Sequence, residues 1–460
     1  IELLETLTIF GVKAQYMEDF KSYLEQEGTP TNETIHEYRL PVISRFDEVK
    51  EKKLHVIKVK DGANFKQQAA RLILDKPDQG FLRYLLKSKT VIDCRSKIQT
   101  IDSTYSFKIE SMLEPRTLPA DILPLLDVQR IFDELQAYKS ERRYFNISIV
   151  KDKLLDILRK DDWYGLLIPQ NHLEINSIAK LEAATDYAVM ALKSYMDKFF
   201  KYEKERWEVP RLEYAILDAD NSNFVDEYTL TYAQQSAMDP KGDELDAFVA
   251  EMSAVLQANN GLDVYKKNFF RGKLVLFDFR SHLYAPLICL EKSNLKIQLA
   301  PVALNTDEMR FVDYLKSYVD DHAAELAGKS LYLLRNKSKV GMGFFEAGNF
   351  YPDYILWIDT PATQYISFID PKGLMHIRPD DPKIEFHKTI KDLETRLSPT
   401  ADGKRIVLNS FIMAGTRSSD LRMWWSTPEV DADRAYREAR NVYTLDNDEC
   451  VESMMRKILQ

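Results

Sequence analysis

Two aspartates and a lysine in the last third of the chain have the types and spacing of a metal-dependent hydrolytic site. Asp353 follows Pro352 at the head of an apolar segment, and Asp370-Pro371-Lys372 ends the next such segment 17 positions later. Two carboxylates that face one point can hold a hard divalent cation such as Mg²⁺. A lysine beside them can neutralise the charge that develops on a scissile phosphate. The pattern therefore indicates hydrolysis of a phosphate ester.

Strand geometry explains why these residues should act together. Residues two apart in a β-strand point to the same side, so Asp370 and Lys372 project together while Pro371 faces away. If the two apolar segments pair, Asp353 comes near Asp370. The main-chain carbonyl of Pro371 would add a third oxygen ligand for the cation. Glu308, on a helix predicted before these strands, either reaches the metal or is a solvated first-turn glutamate favoured by the helix dipole.

Residues 301–460 predict an α/β fold with a mixed central sheet flanked by helices. Apolar segments of strand length alternate there with segments of helical periodicity. Helix, three strands, helix and strand in that order favour such a sheet. The predicted elements are a helix from Asn305–Thr306 to Ala327, strands over 330–335, 353–358 and 364–370, a helix over 384–397 and a strand over 405–413.

Changes in residue pattern divide the chain into three predicted domains, since 460 residues exceed one ordinary domain. Residues 1–115 are predicted to be β-rich, with an alternating strand at 54–60 and a helix over Tyr16–Glu27. Residues 116–300 are predicted to be mainly helical with some strands. A proline-rich stretch at 113–124 marks the first boundary.

Composition excludes several classes of protein. There is no run of about 18 apolar residues, which argues against a membrane span. The three cysteines are far apart, so a disulfide framework or zinc site is not expected and a reducing cytoplasm fits best. The formal net charge of -9 argues against a protein that coats nucleic acid by bulk charge, but it permits a local basic groove.

Basic residues at two places are candidates for contacts with nucleic-acid phosphates. Lys266, Lys267, Arg271 and Lys273 alternate with aromatic residues in a stretch that a DNA backbone can follow. The alternative for that stretch is a turn that joins two core strands. Arg335, at the end of a predicted strand, either contacts phosphate or pairs with a surface acid.

Several segments together resemble a known family. They are Ile9–Ala14, Leu40–Ile43, Leu333–Asn336, Phe350–Trp357 and Phe368–Gly373. The last three resemble the C-terminal nuclease domain of the restriction (Res) subunits of type III restriction enzymes and related DEAD/DEAH-box helicase-nucleases. The first two are similar to the segment that joins motor and nuclease in such proteins.

The resemblance implies a PD-(D/E)xK nuclease fold with Asp353, Asp370 and Lys372 as catalytic residues. It further implies cleavage of double-stranded DNA with Mg²⁺, for which Mn²⁺ can substitute, and partnership with a methyltransferase subunit. The sequence departs from the family in one respect, because it contains neither a G-x-x-x-x-G-K-[S/T] pattern nor a DEAD-type box. Dependence on ATP is therefore expected only if a motor precedes this chain.

Two other functions compete with the nuclease. One is a non-catalytic DNA-binding or assembly module that kept the shape of the fold without its chemistry, although intact acids and lysine speak against a decayed site. The other is a metal hydrolase that acts on a small phosphoester, for which an apolar pocket in place of a broad basic groove would be the sign.

Overall fold

The structure is a computed structural model. It describes residues 34–87, 90–93, 114–168, 172–234, 242–257, 264–269, 272–291, 297–337, 350–375, 377–400 and 402–460. The helix predicted over Tyr16–Glu27, the segment Ile9–Ala14 and Arg271 lie outside these residues. Within the described residues, no helix is both long and apolar enough to cross a bilayer.

The described elements alternate between helices and strands, so the chain is mixed α/β. The strands are β1 (Thr34–Pro41), β2 (Ile43–Ser44), β3 (His55–Val59), β4 (Leu72–Leu74), β5 (Thr90–Asp93), β6 (Ile147–Ile149), β7 (Tyr164–Leu167), β8 (Leu212–Ile216), β9 (Glu227–Gln234), β10 (Val264–Phe269), β11 (Gly272–Phe277), β12 (Tyr284–Ala285), β13 (Leu287–Glu291), β14 (Ile297–Ala300), β15 (Ser330–Arg335), β16 (Tyr354–Asp359), β17 (Thr363–Lys372), β18 (Arg405–Ala414) and β19 (Val442–Thr444). The helices are α1 (Phe46–Val49), α2 (Phe65–Gln68), α3 (Gln79–Lys87), α4 (Val128–Glu141), α5 (Leu154–Arg159), α6 (Ile178–Glu208), α7 (Gly242–Gln257), α8 (Thr306–Asp321), α9 (Pro382–Arg396), α10 (Ser418–Trp425), α11 (Arg434–Glu438) and α12 (Cys450–Ile458).

A five-stranded mixed sheet organises the last third of the chain, in the order β15-β16-β17-β18-β19. The first three strands are antiparallel neighbours, and β18 and β19 continue the sheet in parallel. The parallel step from β17 to β18 needs a crossover, which α9 supplies. The predicted mixed sheet and its order of helix, three strands, helix and strand are confirmed.

Helix α8 begins where predicted and ends early. Asn305 accepts hydrogen bonds from the N–H groups of Asp307 and Glu308, and the Glu308 carboxylate accepts one from the Asn305 N–H, which completes a capping box. The helix stops at Asp321 and does not reach Ala327. Turns follow as far as Gly328, whose φ of 76° suits a residue without a side chain.

Segments that precede residue 301 complete this sheet. At its β15 edge, the Leu283 N–H donates to the Leu333 carbonyl, and the Leu333 N–H donates to the Ser281 carbonyl, both at 2.9 Å. On one face, the Trp357 Nε1–H donates to the His55 carbonyl at 2.7 Å. Accordingly, one hydrophobic core contains side chains from β1, β3, β9, β11 and β13 together with those of the sheet.

A buried histidine fixes that added edge. The Arg335 N–H donates to Nε2 of His282 at 3.1 Å, so Nδ1 carries the proton and donates to the Tyr284 carbonyl at 2.7 Å. Burial lowers the pKa of His282 to about 3, which keeps the ring neutral. Next to it, Arg45 donates to the His282 carbonyl and forms an ion pair of 2.7 Å with Asp278.

The residues between β3 and β8 form a separate body. These two strands pair antiparallel with Val59 opposite Leu212, and the Lys60 N–H donates to the Arg211 carbonyl at 2.8 Å. The chain therefore leaves and returns at one place. A second hydrophobic core, formed by residues between Phe65 and Phe200, lies wholly within this excursion.

These two cores divide the chain differently from the predicted boundaries at 115 and 300. The first predicted boundary falls inside the excursion, and the second separates strands from the sheet whose core they share. The middle part is helical as predicted only as far as Glu208, because strands β8 to β14 dominate after it. Both differences arise because segments that are distant in the sequence pack into one core. The residue pattern alone does not show which segments pack together.

Candidate metal-dependent active site

The three residues singled out by their spacing meet where β16 begins and β17 ends. Tyr354 lies opposite Ile369, so the next step of the same antiparallel register places Asp353 opposite Asp370. Strand β17 continues to Lys372, which puts Asp370 and Lys372 on one face of the sheet. Both strands are built from apolar residues that the core holds rigidly, and β16 is buried along its whole length.

Two asparagines hold the chain at Asp353. The Asn336 N–H donates to the Asp353 carbonyl at 2.7 Å, and its side-chain Nδ2 donates to the Pro352 carbonyl at 2.8 Å. Nδ2 of Asn223 in turn donates to Oδ1 of Asn336 at 3.0 Å. Both asparagines are buried, so this chain of amides fixes the direction in which Asp353 leaves the strand.

Neither asparagine was recognised as part of the site from the sequence. Asn336 carries a weak signal, because it is a polar residue directly after an apolar strand. Asn223 lies in a turn-rich stretch more than 100 residues upstream, and nothing in its surroundings indicates that it reaches this site.

The two aspartates crowd one another. Their carboxyl groups form a hydrogen bond, and burial together with the Asp370 and Glu308 charges raises the pKa of Asp353 to about 9. Asp353 is therefore protonated at neutral pH when no cation is bound, and it donates that proton to Asp370. Two ionised carboxylates at this separation would repel each other strongly in a partly dry site.

Lys372 supplies positive charge beside Asp370. Its ammonium group forms an ion pair with the buried Oδ2 of Asp370. The same ammonium lies 5.1 Å from the centre of the Phe350 ring. Lys372 keeps 22% of its side chain exposed, so it is held by these neighbours yet open to a ligand from solvent.

Glu308 is close to the aspartates but is not a solvated first-turn residue. It is 6% exposed, and its carboxylate accepts from Arg335 Nη2 at 3.2 Å as well as from the Asn305 N–H. The alternative interpretation of Glu308 as solvent-exposed is therefore wrong. Burial raises its pKa and the Arg335 charge opposes that effect.

Arg335 pairs with this acid and binds main chain. Besides Glu308, its guanidinium donates to the carbonyls of Val302 and Ala303. The side chain is 15% exposed, and its donors are largely used within the protein. Of the two roles considered from the sequence, pairing with an acid is the one observed, and that acid is buried.

A loop on the other side of β17 is held to the end of β18. The Gly415 N–H donates to the Lys372 carbonyl at 3.0 Å, and the Leu374 N–H donates to Oγ1 of Thr416 at 2.7 Å. Gly415 lies directly against the Asp307 carboxylate, so that a Cβ at this position would sit 1.9 Å from Oδ2. Together these contacts bring the start of α8, β17 and β18 to one point.

The donor set suits a hard divalent cation held by few protein ligands. The Lys372 ammonium alone balances the charge of Asp370, and Asp353 needs a proton to coexist with that carboxylate. A cation between the two aspartates would take the place of that proton. Within the described residues no three His, Cys, Asp or Glu side chains are arranged as a complete metal cage. Mg²⁺ does not require one, because it keeps several waters and usually binds one or two carboxylates plus substrate phosphate.

Two antiparallel strands, β10 and β11, flank residue 270 in the aromatic and basic stretch. Strands β10 and β11 pair with Phe269 opposite Gly272, and β11 also pairs with β13. Lys266 and Lys267 thus lie within a strand, and Lys273 lies at the start of the next one. The expected contacts of these three lysines with phosphate stay predictions, as does the contact expected of Arg271.

Comparison with known proteins adds no relative. No family model matches the chain, and no curated protein or solved structure shows significant similarity to it.

Proposed function

We propose that this chain is a Mg²⁺-dependent endonuclease that cleaves double-stranded DNA, with a cleavage centre of the PD-(D/E)xK type. The observation that carries the proposal is the convergence of Asp353, Asp370 and Lys372 at adjoining strand ends. Two carboxyl groups that share a proton beside an accessible ammonium make a site that takes up a divalent cation and a phosphate. The order of helix α8, strands β15 to β17, the crossover α9 and strand β18 supports the proposal.

Each residue has a distinct task in this proposal. Asp353 and Asp370 hold the cation through carboxylate oxygens, and the Pro371 carbonyl is available as a third ligand. When bound, the cation polarises the scissile phosphate and lowers the pKa of a bound water. Lys372 orients that water and neutralises the charge that develops on the phosphate oxygens. Glu308 is ranked below the two aspartates as a ligand, because Arg335 and the Asn305 N–H already occupy it.

The substrate and partners follow from the resemblance and have the same status as proposals. Duplex DNA is the substrate of the type III restriction subunits that residues 333–373 resemble, and a methyltransferase subunit is their partner. Mn²⁺ is expected to replace Mg²⁺, and a role for ATP depends on a motor outside this chain. The cytoplasm is the compartment that we infer for such an enzyme.

Cleavage of supercoiled plasmid DNA tests the proposal. Wild-type protein is expected to nick or linearise the plasmid with Mg²⁺ or Mn²⁺ and to leave it intact with a chelator. Lys372→Met keeps the length of the side chain and removes its charge, so the rate should fall about 100-fold or more. Asp370→Asn should abolish cleavage because it weakens the metal ligand.

Lys388→Met is the matched control, since Lys388 is an exposed residue of α9 paired with Glu385. It should cleave like wild type, and all variants should retain the wild-type circular dichroism spectrum. Full cleavage by Lys372→Met would refute the assignment. A wild-type protein that binds duplex DNA with a steep salt dependence, yet cleaves with no metal, would favour the non-catalytic module.

A further inference from the structure

A cavity of about 350 Å³ lies in the five-stranded sheet at the end opposite to the cleavage centre. Its walls come from β17, β18, α9, α12 and the segment before β19. The lining residues are Tyr365, His387, Lys391, Arg405, Val407, Asn409, Ala439, Asn441, Lys457, Ile458 and Gln460. Tyr365 and Asp370 are five residues apart on β17, which places them about 16 Å apart on opposite faces of the sheet. The cavity is thus separate from the cleavage centre.

The cavity exists because β18 is longer than its outer neighbour. Strand β19 pairs only with Ile412–Ala414, which leaves the earlier part of β18 without a strand partner on that side. Side chains form hydrogen bonds with some of the main-chain groups along this open edge. Glu394 accepts from the Leu408 N–H at 2.6 Å, and Nδ2 of Asn441 donates to the Ser410 carbonyl at 2.9 Å. The space between these two contacts and α12 is left unfilled.

The charge around this space is positive. Lys391, Arg405 and Lys457 line the cavity, and no aspartate or glutamate side chain does. Two acids lie nearby: Glu394 pairs with Lys391, one of these three cations, and Glu438 pairs with Arg434, which does not line the cavity. Arg405 makes no ion pair within the described residues and is exposed at the mouth. Burial lowers the pKa of Lys457 and the Glu438 charge opposes that effect, while the Lys457 ammonium donates to the Glu438 carbonyl at 3.0 Å.

Two buried amides lie in the wall of the cavity. Asn409 and Asn441 are each 8% exposed. Nδ2 of Asn409 and Oδ1 of Asn441 have no hydrogen-bond partner within the described residues. The bond from Nδ2 of Asn441 to Ser410 fixes the orientation of that amide, so its free atom is an acceptor. A buried donor and a buried acceptor without partners are costly, but both atoms are shielded from solvent and do not form part of the cavity surface.

We propose that this cavity binds a mononucleotide. The three cations would take its phosphate, and Tyr365, Val407 and Ile458 supply an apolar wall for the flat ring of its base. The volume is at the lower end of small-molecule sites, about 300–1,000 Å³, which suits one nucleotide better than a polymer. This proposal does not depend on the cleavage centre.

Isothermal titration of the whole chain tests it. AMP, GMP, CMP and UMP are each titrated, followed by the nucleoside of the tightest binder and by inorganic phosphate. At least one monophosphate should bind in the micromolar to low millimolar range, and both the nucleoside and the phosphate alone should bind at least about tenfold more weakly. No binding of any monophosphate, or equal binding of the nucleoside or of inorganic phosphate, would overturn the proposal.

Variants locate the binding. Arg405→Gln, at an exposed position that tolerates substitution, should weaken binding of the monophosphate about tenfold, as expected for one lost charge-assisted hydrogen bond. Lys388→Gln is the matched control, because it removes a charge from α9 outside the cavity and should leave binding unchanged. Unaltered binding by Arg405→Gln, or loss of duplex-DNA binding in Arg405→Gln while the monophosphate still binds, would show that the cavity is not a mononucleotide site.

Discussion

Asp353 and Asp370 are the residues whose state depends most on what is bound. In the metal-free protein the pKa of Asp353 is raised to about 9 by burial, by Asp370 and by Glu308. A cation must displace the proton that this carboxyl carries at neutral pH. Metal uptake and proton release are therefore linked at this site, and the linkage gives a prediction that is independent of DNA cleavage.

The affinity for Mg²⁺ should rise with pH. Because one proton leaves Asp353 for each cation bound, affinity should increase about tenfold per pH unit below pH 9 and level off above it. Calorimetry at pH 6, 7 and 8, in two buffers with different ionisation enthalpies, measures both the affinity and the protons released. Asp353→Asn should bind weakly and show no such slope. An affinity that does not change with pH, with no proton release, would contradict the assigned state of Asp353.

At the scale of single residues, the sequence predicted which side chains meet but not how they are held. The two-residue period of a strand was enough to place Asp370 and Lys372 together. The ion pair between Glu308 and Arg335 joins residues 27 positions apart on a helix and a strand. The amide pair of Asn223 and Asn336 spans 113 positions. Such contacts follow from the fold and leave no local pattern.

Among the secondary-structure elements, the junction of α8 with the end of β18 sets the geometry of the site. Asp307 in the first turn of α8 lies against Gly415, immediately after β18, where any side chain on residue 415 would overlap its carboxylate. Gly415 also donates to the Lys372 carbonyl. A change at this contact should therefore be transmitted to the position of Lys372.

Gly415→Ala should destabilise the fold by about 1 kcal/mol, because the new methyl group takes the space of the Asp307 carboxylate and displaces it. The double variant Gly415→Ala/Asp307→Ala removes the obstructing carboxylate and should recover most of that loss. Urea unfolding of both single variants and of the double variant gives the coupling between the two positions. Additive effects, with no recovery in the double variant, would mean that the helix and the strand end are not in contact.

Most elements near the site were predictable because their signals are local. Asn305 indicates the start of α8 because it forms a capping box, and Pro382 begins α9 at a position that tolerates proline. The apolar strands lie between polar turns. The error at the end of α8 arose because helical periodicity continues past Asp321 while the chain already turns. Elements α10 to α12 and β19 were not predicted, and β19 is only three residues long.

For the whole molecule, the two cores matter more than the order of the elements along the chain. The sheet of residues 301–460 obtains buried partners from β3 and from the Ser281–Leu283 segment. The body between β3 and β8 has its own core and joins the remainder where Val59 faces Leu212. Hydrophobic patterning showed that cores exist but not which distant segments share them.

Truncated proteins test whether the sheet of residues 301–460 depends on the earlier segments, and whether the body between β3 and β8 is dispensable for it. A protein of residues 301–460 alone should aggregate or lose its cooperative melting transition, because it exposes an open strand edge and leaves buried polar groups unpaired. The matched control joins Val59 to Leu212 through a short Asn-Gly turn and so removes the excursion. That protein should still melt cooperatively by circular dichroism. If the 301–460 fragment were stable and the protein without the excursion were unfolded, the sheet would not depend on the earlier segments and the excursion would not be a separate folding unit.

The central claim is that Asp353 and Asp370 hold one divalent cation beside Lys372. Crystals grown or soaked with Mn²⁺ and measured at the manganese absorption edge locate that cation directly. We predict an anomalous peak about 2.0–2.6 Å from a carboxylate oxygen of each aspartate, with the hydrogen bond between the two carboxyl groups lost. A saturating Mn²⁺ soak that leaves no peak between them, with that hydrogen bond intact, would contradict the claim.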